Sequence, residues 1–401
     1  MPADSNEKPF KIAISDEQLS LLSKKLALHV LPDELEGAGK KYGASLTDVR
    51  RLVSRWQNSF DWRKEEARIN EELPQFTRDI DVEGHGTLNI HYVHQKSEVD
   101  NAIPMLFVHG WPGSFIEVRK ILPLLLNPGP DHPAFHVVAL SLPGYGFSQG
   151  PKLQGFKSAQ YAEVGNKLML ALGYEKYVTQ GGDWGSIVTR QMANMYGNKH
   201  LMAWHTNFLL TTPPTPTSKP LPEELSDPRA ARGQWYFTQG NGYFVLQSTQ
   251  PQTIGYSLAD SPVGLLTWIY EKLVNWTDNY PWDDDEVLTW ISIYWFSRAG
   301  PAAASYMYYE IDQTGEITAP FNWTTEAPVK LGASSFPKEI FYAPPSWVKV
   351  YRGLVFQADH DRGGHFAAYE VPELLVQDLR MMFGKAGPAY GVVPNKSGYS
   401  T

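Results

Sequence analysis

Three features are missing from this 401-residue chain, and each absence excludes a class of protein. The chain has no cysteine, so it forms neither disulfides nor thiolate metal sites, which fits a reducing compartment. It also lacks any stretch of about 18 apolar residues, and residues 1–8 contain no apolar core of the kind that a signal peptide needs. We therefore predict a soluble, cytoplasmic protein without a membrane anchor.

The chain also lacks a run of lysine or arginine residues, and its formal net charge is −8. Both features argue against nucleic acid or an anionic membrane as a partner. Apolar side chains are by contrast plentiful, because 42% of the residues are hydrophobic and 13% are aromatic. A chain of this length and composition can bury a large core, so we expect one large domain with an insert, or two domains.

Residues 1–78 are predicted to form a helical cover. The segment Ser15–Gln18 has the spacing of a capping box, and apolar residues recur at helical spacing between Leu46 and Trp56. No catalytic residue type with a partner occurs in this segment. Its apolar stripes predict that it packs against another part of the chain.

From residue 79 onward the pattern predicts an α/β fold. Residues 79–93 alternate like an antiparallel hairpin, and Ile103–Val108 and Phe135–Leu140 are continuous apolar runs typical of buried strands. Helices are predicted between the strands, over Ile116–Leu126 and Ala159–Leu172. Strands that alternate with helices indicate a mostly parallel sheet with helices on both faces. Catalytic residues of such sheets lie at the carboxyl ends of the strands.

Residues 213–325 interrupt this pattern. They begin with a proline-rich break, and a dense set of tryptophan, tyrosine and phenylalanine residues follows on helical-looking segments. This content predicts a helical lid with an apolar inner surface over the strand ends. The sheet pattern then returns near Trp347–Ala358, and a helix over Pro372–Phe383 closes the chain. The core is therefore predicted to comprise residues 79–212 and 326–401.

The run after Tyr177 predicts a strand, a sharp turn and a helix. Within the turn, Gly181 and Gly185 stand two positions before and after Asp183, which is the spacing of a nucleophile elbow. A carboxylate is already anionic at pH 7, so it attacks a carbon electrophile without a base and forms an ester. The alternative is an ordinary strand-helix turn in which Asp183 caps the helix.

A nucleophilic carboxylate also needs a base that activates water. His365 has the best context among the eleven histidines, because Gly363 and Gly364 allow its loop to approach the strand ends. The alternative is a packed or exposed structural histidine. Metal ligation is a weaker alternative, since His91 and His94 would point to opposite faces of a strand and no other cluster has ligand spacing.

Six segments together carry a resemblance to a known family. They are Phe60–Arg63, His109–Ser114, Ser141–Ser148, the Gly-Gly-Asp-Trp-Gly elbow, Gln247–Thr253 with Ser261–Leu265, and Gly364–Glu370. Over nearly its whole length the chain resembles the epoxide hydrolases of the α/β-hydrolase fold, in the branch similar to microsomal epoxide hydrolase and its soluble fungal relatives. Haloalkane dehalogenases share the His-Gly-x-Pro and Asp-Trp motifs, whereas the Thr-x-Pro-x-Thr stretch and the helical cover single out this branch.

The resemblance implies a catalytic triad. It assigns Asp183 as the nucleophile and His365 as the base that activates water. In this branch the charge-relay acid follows an earlier strand in a Phe-Pro-Lys-acid stretch, which implies Glu339 here. Its rivals are Asp359 and Asp361, which are nearer to the histidine in sequence.

The resemblance also implies two lid tyrosines, since a phenol is suited to hydrogen-bond and protonate the oxygen of an opening epoxide. Tyr243 matches the first position. Tyr308 is the choice for the second, with Tyr309 as its close rival, although any of these aromatic residues could instead serve lid packing. The backbone N–H groups of Trp111 and Trp184 are implied to form an oxyanion hole, and their rings to line the substrate pocket.

The implied activity is conversion of an epoxide and water to a vicinal diol without a cofactor or metal. A small apolar or aryl epoxide is the implied substrate, in detoxification or aromatic hydrocarbon catabolism, and homodimer formation stays open. One alternative is a haloalkane dehalogenase, which would replace the paired tyrosines by N–H side chains that stabilise halide. Another is a non-catalytic α/β-hydrolase-like binding protein.

Overall fold

A computed structural model describes residues 7–211, 218–315 and 328–400, and these contain one nine-stranded sheet. The strands are β1 (Lys8–Phe10), β2 (Gln75–Val82), β3 (Gly86–Gln95), β4 (Ile103–Val108), β5 (Phe135–Leu140), β6 (Tyr177–Gly181), β7 (Leu201–Thr206), β8 (Lys330–Ser335) and β9 (Leu354–Asp359). Their order is β1-β2-β3-β5-β4-β6-β7-β8-β9. The pairs from β1 to β5 along this order are antiparallel, and those from β5 to β9 are parallel. The predicted α/β fold is confirmed.

Helices surround and cover the sheet. In the described residues the α-helices are α1 (Asp16–Ala27), α2 (Leu46–Asn58), α3 (Trp62–Glu72), α4 (Leu122–Leu126), α5 (Ser158–Ala171), α6 (Trp184–Tyr196), α7 (Pro222–Leu225), α8 (Pro228–Trp235), α9 (Gly242–Thr249), α10 (Pro251–Asp260), α11 (Pro262–Asn275), α12 (Asp284–Trp295), α13 (Ser305–Asp312), α14 (Pro345–Val348), α15 (Ala367–Glu370) and α16 (Pro372–Phe383). Short 3₁₀ helices span Gly39–Tyr42 and Phe115–Arg119, and a π-helical turn spans Tyr236–Gly240. None of these helices is both long and apolar enough to cross a bilayer.

The central strand β4 positions the two turns that carry the candidate chemistry. Every residue of β4 and of its neighbour β5 is buried, which explains their uninterrupted apolar sequences, and their predicted bounds are confirmed. On its other side β4 pairs with β6, where Val108 lies opposite Gly181. Because these strands are parallel, the turn after Val108 and the turn containing Asp183 leave the sheet at the same edge.

The N-terminal helices pack as the sequence predicts. Helix α1 begins with a capping box in which Ser15 and Gln18 exchange side-chain to backbone hydrogen bonds. Leu52 of α2 and Ile69 of α3 are fully buried. Helices α1 and α2 also contact α11, so this segment packs against a helix of the predicted lid.

Three local predictions are wrong, and each has a physical reason. Lys8–Phe10 is a strand rather than helix, because it pairs with the edge of β2, a partner that lies far away in sequence. Ile116–Leu126 is a 3₁₀ helix followed by α4 rather than one helix. Pro123 lacks an N–H group and its ring would clash with the carbonyl of Arg119, so a continuous α-helix cannot form there.

The third error concerns the return of the chain to the sheet. The sheet resumes at β8, before the predicted position, and Trp347 lies in α14 rather than in a strand. Strand β8 has a weak sequence signal because four of its six residues, Gly332–Ser335, are small. One of them is required by packing, since a Cβ atom at Gly332 would lie 2.4 Å from the sulfur of Met382.

Helices α7 to α13 form the segment that the sequence predicts as a lid. Helices α11 and α12 belong to this segment, and Trp276 and Trp290 are fully buried. The predicted boundaries at residues 213 and 325 lie outside the described residues, and the boundary between residues 78 and 79 falls within β2. The division of the chain into four segments therefore stays a prediction.

Candidate active site

The turn between β6 and α6 has the backbone of a nucleophile elbow. Asp183 has φ 50° and ψ −128°, a conformation that L residues rarely adopt. The flanking positions must be small, since a Cβ atom at Gly185 would lie 1.9 Å from the carbonyl oxygen of Val108, and one at Gly181 would lie 2.5 Å from the carbonyl oxygen of Gly185. The Asp183 side chain makes no capping hydrogen bond to α6, so the helix-cap alternative is not supported.

This backbone strain gives a stability prediction. A non-glycine residue at such φ and ψ costs on the order of 1–3 kcal/mol, and glycine relieves that cost whereas alanine does not. We expect the free energy of unfolding of Asp183→Gly to exceed that of Asp183→Ala by about 1 kcal/mol, measured by urea denaturation. Both variants lack the carboxylate, so their difference isolates the backbone. Equal or reversed stabilities would show that the elbow is not strained.

The Asp183 carboxylate is held from two sides. Its Oδ1 atom accepts a hydrogen bond from the backbone N–H of Trp111 at 2.8 Å. Its Oδ2 atom lies 3.4 Å from Nε2 of His365. His109, in the same turn as Trp111, is buried and bonds within the loops through the Gly110 carbonyl and the Leu142 N–H, which supports a structural role.

His365 is oriented by Glu339. Its Nδ1 atom lies 2.6 Å from Oε1 of Glu339, and both side chains are buried. Glu339 follows β8 and His365 follows β9, so adjacent strands bring the two loops together. Of the two rivals, Asp359 pairs with Arg229 at 2.9 Å, and Asp361 is exposed. The structure therefore brings together the aspartate, histidine and glutamate that the resemblance implies.

The charges around His365 favour its protonated form. Burial lowers the pKa of the imidazole, but the negative charge of Glu339 and hydrogen bonds with Asp183 and Glu339 outweigh burial and raise the pKa to about 10. His365 therefore holds its proton more tightly than a free histidine does.

A third acid, Glu117, lies near Asp183 and His365 and was not predicted. It is buried, and one of its oxygens accepts a hydrogen bond from the N–H of Ser114. Burial raises the pKa of Glu117 to about 8, with the charge of His365 opposing and that of Asp183 adding to this effect. The sequence signal was present, because Ser114 and Glu117 have capping-box spacing.

A cavity of about 10 Å³ lies next to Glu117, Asp183 and His365. This is about the smallest volume that holds one water molecule, and the lining supplies several polar atoms. The carboxylate and imidazole that border it are the groups that an ester hydrolysis step needs.

Two buried phenols of the lid face the elbow. Tyr243 of α9 and Tyr308 of α13 both border a cavity of about 590 Å³ that also contains Asp183 and Trp184. The Trp111 ring stacks on Tyr243 with centroids 5.0 Å apart, and Trp184 meets Tyr308 edge-on at 4.7 Å. Both tryptophan rings thus pack against the phenols, but only Trp184 is part of the lining of this cavity. The pocket role of Trp111 stays a prediction.

The structure also separates Tyr308 from its rival. Tyr308 is 1% exposed, whereas Tyr309 is 42% exposed and is absent from the cavity lining. A third phenol, Tyr236, borders the same cavity and was missed. Its sequence context offered no signal, because it is one of many aromatic residues in the lid.

A larger cavity, of about 850 Å³, lies between the N-terminal segment and α11. It shares only the Tyr243 side chain with the candidate site, and Asp183, His365 and Glu339 are not part of its lining. We place the site in the cavity of about 590 Å³, because that one contains the carboxylate and both phenols.

Comparisons with known proteins identify the family of this chain. The family profile described as Epoxide hydrolase N terminus matches residues 7–118, and the alpha/beta hydrolase fold profile matches residues 103–240. Epoxide hydrolase 1 of Sus scrofa is 35% identical, over 95% of this chain and 89% of its own.

Solved structures give the same result. The Aspergillus niger epoxide hydrolase is 35% identical with a TM-score of 0.80, covering 93% of this chain and 95% of its own. The juvenile hormone epoxide hydrolase of the silkworm Bombyx mori is 29% identical with a TM-score of 0.81, covering 94% and 93%. From its sequence and its fold, this chain belongs to the epoxide hydrolase family.

Proposed function

We propose that this epoxide hydrolase opens its substrate through a covalent ester on Asp183. One observation carries the proposal: the Asp183 carboxylate contacts the Trp111 N–H and the His365 imidazole, while it faces a cavity that Tyr243 and Tyr308 also border. A nucleophile, a base and two proton donors are the groups that a two-step opening of an epoxide needs.

In the first step, Asp183 attacks a ring carbon and the carbon–oxygen bond of the epoxide breaks. The leaving oxygen becomes an alkoxide, which is a strong base. The hydroxyls of Tyr243 and Tyr308 hydrogen-bond this oxygen, and a phenol protonates it as the bond breaks. The product of this step is a hydroxyalkyl ester of Asp183.

In the second step, water attacks the carboxyl carbon of the ester. His365 takes a proton of this water and gives it to the diol oxygen as the ester carbon–oxygen bond breaks, while Glu339 holds the imidazole in the orientation that these transfers require. Loss of the second proton of the water restores the Asp183 carboxylate. The small cavity beside His365 is the place for this water. The backbone N–H groups of Trp111 and Trp184 stabilise the oxyanion, and loss of one such donor typically costs ~100-fold or more in rate.

The cavity supports a neutral, apolar or aryl epoxide as substrate. Its lining is mostly aromatic and aliphatic, and the carboxylates of Asp183 and Asp312 are its only charged groups among the described residues. Its volume of about 590 Å³ is in the usual range for small-molecule sites. The family assignment favours this reaction over the dehalogenase and binding-protein alternatives.

Two product assays test the reaction. Incubation with styrene oxide is expected to give the diol, and incubation with a haloalkane is expected to give no halide. Halide release would instead support the dehalogenase alternative, and the absence of both products would contradict the proposed substrate class.

Labelled water tests the ester. In one enzyme-limited turnover in water enriched with oxygen-18, the label is expected in the side chain of Asp183 and not in the diol, because the diol oxygen comes from the carboxylate. Peptide mass spectrometry and product mass spectrometry measure the two. Label found directly in the first diol would contradict the covalent mechanism.

The two phenols give a prediction that also separates Tyr308 from Tyr309. Tyr308→Phe removes a hydroxyl that faces the alkoxide, so ester formation is expected to slow by about 100-fold. Tyr309→Phe removes an exposed hydroxyl from the same helix, and its rate is expected to stay within about twofold of the wild type. Rapid-quench measurement of the ester checks both, and a larger loss in Tyr309→Phe would mean that Tyr309 is the second donor.

The elevated pKa of His365 predicts different pH profiles for the two steps. Esterification removes the charge of Asp183, so one of the contributions that raise the pKa of His365 to about 10 disappears and the pKa falls. Ester hydrolysis needs neutral imidazole and is therefore expected to increase with pH, with a midpoint below 10, whereas ester formation stays level between about pH 6 and 9. Single-turnover kinetics measures each step, and a hydrolysis rate that falls as pH rises would contradict the base role.

A further inference from the structure

A second phenol supports one of the two lid tyrosines. The hydroxyl of Tyr236 lies 3.0 Å from the hydroxyl of Tyr243. Tyr236 borders the same cavity as Asp183, and its hydroxyl has no other hydrogen-bond partner within residues 7–211, 218–315 and 328–400. The two hydroxyls therefore form an isolated pair that opens onto the substrate cavity.

The other lid tyrosine has no such support. In the described part of the chain, the Tyr308 hydroxyl is buried and makes no hydrogen bond of normal geometry. The Trp184 indole that packs against it lowers the pKa of this phenol, but burial dominates and keeps that pKa well above its usual value. The two phenols that face Asp183 thus differ in their hydrogen bonding, because only Tyr243 has a second hydroxyl within hydrogen-bond distance.

The backbone at Tyr236 is a π-helical turn rather than a regular α-helix. Tyr236 begins the π-helical turn Tyr236–Gly240, which lies between α8 and α9. Such turns add a residue to the helical repeat and are frequent at functional sites, because they change the direction of a side chain. The turn is closely packed, since a Cβ atom at Gly240 would lie 2.7 Å from the Trp235 ring. Its geometry places Tyr236 and Tyr243 on the same side of the lid.

We propose that Tyr236 is a positioning residue that donates its hydrogen bond to Tyr243 and passes this proton on as Tyr243 protonates the alkoxide. The proposal rests on the two-step reaction proposed above. As the carbon–oxygen bond of the epoxide breaks, the Tyr243 proton moves to the alkoxide oxygen and the Tyr236 proton moves to the Tyr243 oxygen. The negative charge then rests on Tyr236.

The enzyme takes up and releases equal numbers of protons over one full turnover. The alkoxide gains one proton from the phenol pair. Of the two protons of the attacking water, one leaves with the diol and the other is released to solvent, while the phenolate takes up one proton from solvent. The enzyme therefore returns to its starting state. A charge-assisted hydrogen bond to a phenolate is about twice as strong as a neutral one, so the Tyr236 hydroxyl stabilises the transition state more than the ground state.

Burial explains why a partner is needed. Burial raises the pKa of Tyr243 well above its usual value, because a phenolate there would be cut off from water. Tyr236 is 9% exposed, against 4% for Tyr243. Burial also raises the pKa of Tyr236, but the hydrogen bond between the two phenols opposes this rise at Tyr236 and adds to it at Tyr243, so a negative charge is less costly on Tyr236.

A double-mutant cycle tests this coupling, with styrene oxide as the probe and ester formation measured by rapid quench. Tyr236→Phe is expected to slow ester formation about tenfold in the wild type and in Tyr308→Phe, but less than twofold in Tyr243→Phe. Within each of these three backgrounds, Tyr236→Phe is expected to leave the dissociation constant of styrene oxide unchanged. Tyr309→Phe serves as the matched control, since it removes a hydroxyl from the lid surface.

A proton inventory in mixtures of H₂O and D₂O gives a readout that packing alone would not change. Two protons move in the relay, so the plot for the wild type is expected to be curved, and that for Tyr236→Phe straight. A straight wild-type plot, or an equal loss from Tyr236→Phe in the Tyr243→Phe background, would overturn the relay. Failure of the wild type to form the ester would instead contradict the proposed function, so the two failures are distinguishable.

Discussion

A His365→Gln variant is expected to stop after the first step and to accumulate the ester. Asp183 and the lid phenols remain in place, so the epoxide still opens, but no base is left to activate water. Removal of a general base typically costs about 10²–10⁴ in rate, which is enough for the ester to survive isolation. Mass spectrometry is expected to show an increase equal to the mass of the epoxide, on the peptide that contains Asp183.

Two further variants test whether ester accumulation depends on the contact between His365 and Glu339. Glu339→Gln keeps the size of the side chain but removes the charge that orients His365 at 2.6 Å, so we expect a partial accumulation of the ester. Asp361→Asn changes an exposed carboxylate in the loop that carries His365 and is expected to behave like the wild type. A His365→Gln protein that turns over normally, or that never gains mass, would remove His365 from the mechanism.

An Asp183→Ala variant is expected to lose turnover altogether. Removal of a nucleophile that acts together with its base typically costs on the order of 10⁴–10⁶ in rate. The fold should persist, because Asp183 makes no capping bond and its backbone is set by the close packing of Gly181 and Gly185. Diol formation from styrene oxide measures the loss, and circular dichroism checks the fold.

The double variant Asp183→Ala/His365→Gln separates the nucleophile from other reactive carboxylates. If Asp183 is the esterified group, the mass increase seen in His365→Gln is expected to vanish in the double variant. Persistence of that increase would mean that another side chain, such as the nearby Glu117, attacks the epoxide. Substantial diol formation by Asp183→Ala alone would contradict the covalent mechanism in the same way.

The family assignment has one practical consequence for these experiments. Relatives such as the Aspergillus niger enzyme match over most of both chains, so the two proteins share the core of the fold. The variants can therefore be planned against a solved structure of the same fold.

Features that depend on local stereochemistry were predicted from the sequence. The elbow was found because its backbone leaves no room for a Cβ atom at Gly181 or Gly185. The strand Ile103–Val108 and the helix Pro372–Phe383 were predicted with the bounds that the structure has. In each case the neighbouring residues alone carry the signal, as a spacing of small residues or a period of apolar ones.

Features that depend on distant neighbours were not predicted, or were predicted only through the resemblance. Lys8–Phe10 becomes a strand because β2 offers it an edge. Glu339 meets His365 because β8 and β9 are adjacent in the sheet. The elevated pKa of Glu117 comes from burial beside Asp183, which composition does not reveal.

The sequence by itself thus determined the type of fold, the elbow and the residue types available for chemistry, since these follow from short-range sterics and periodicity. Only the tertiary structure decided which members of the crowded lid face the carboxylate. It buries Tyr308, exposes Tyr309, and brings Tyr236 within hydrogen-bond distance of Tyr243. The physical reason is that burial and hydrogen-bond distance depend on which residues pack together in the fold. Residues that are neighbours in space cannot be identified from their positions in the sequence.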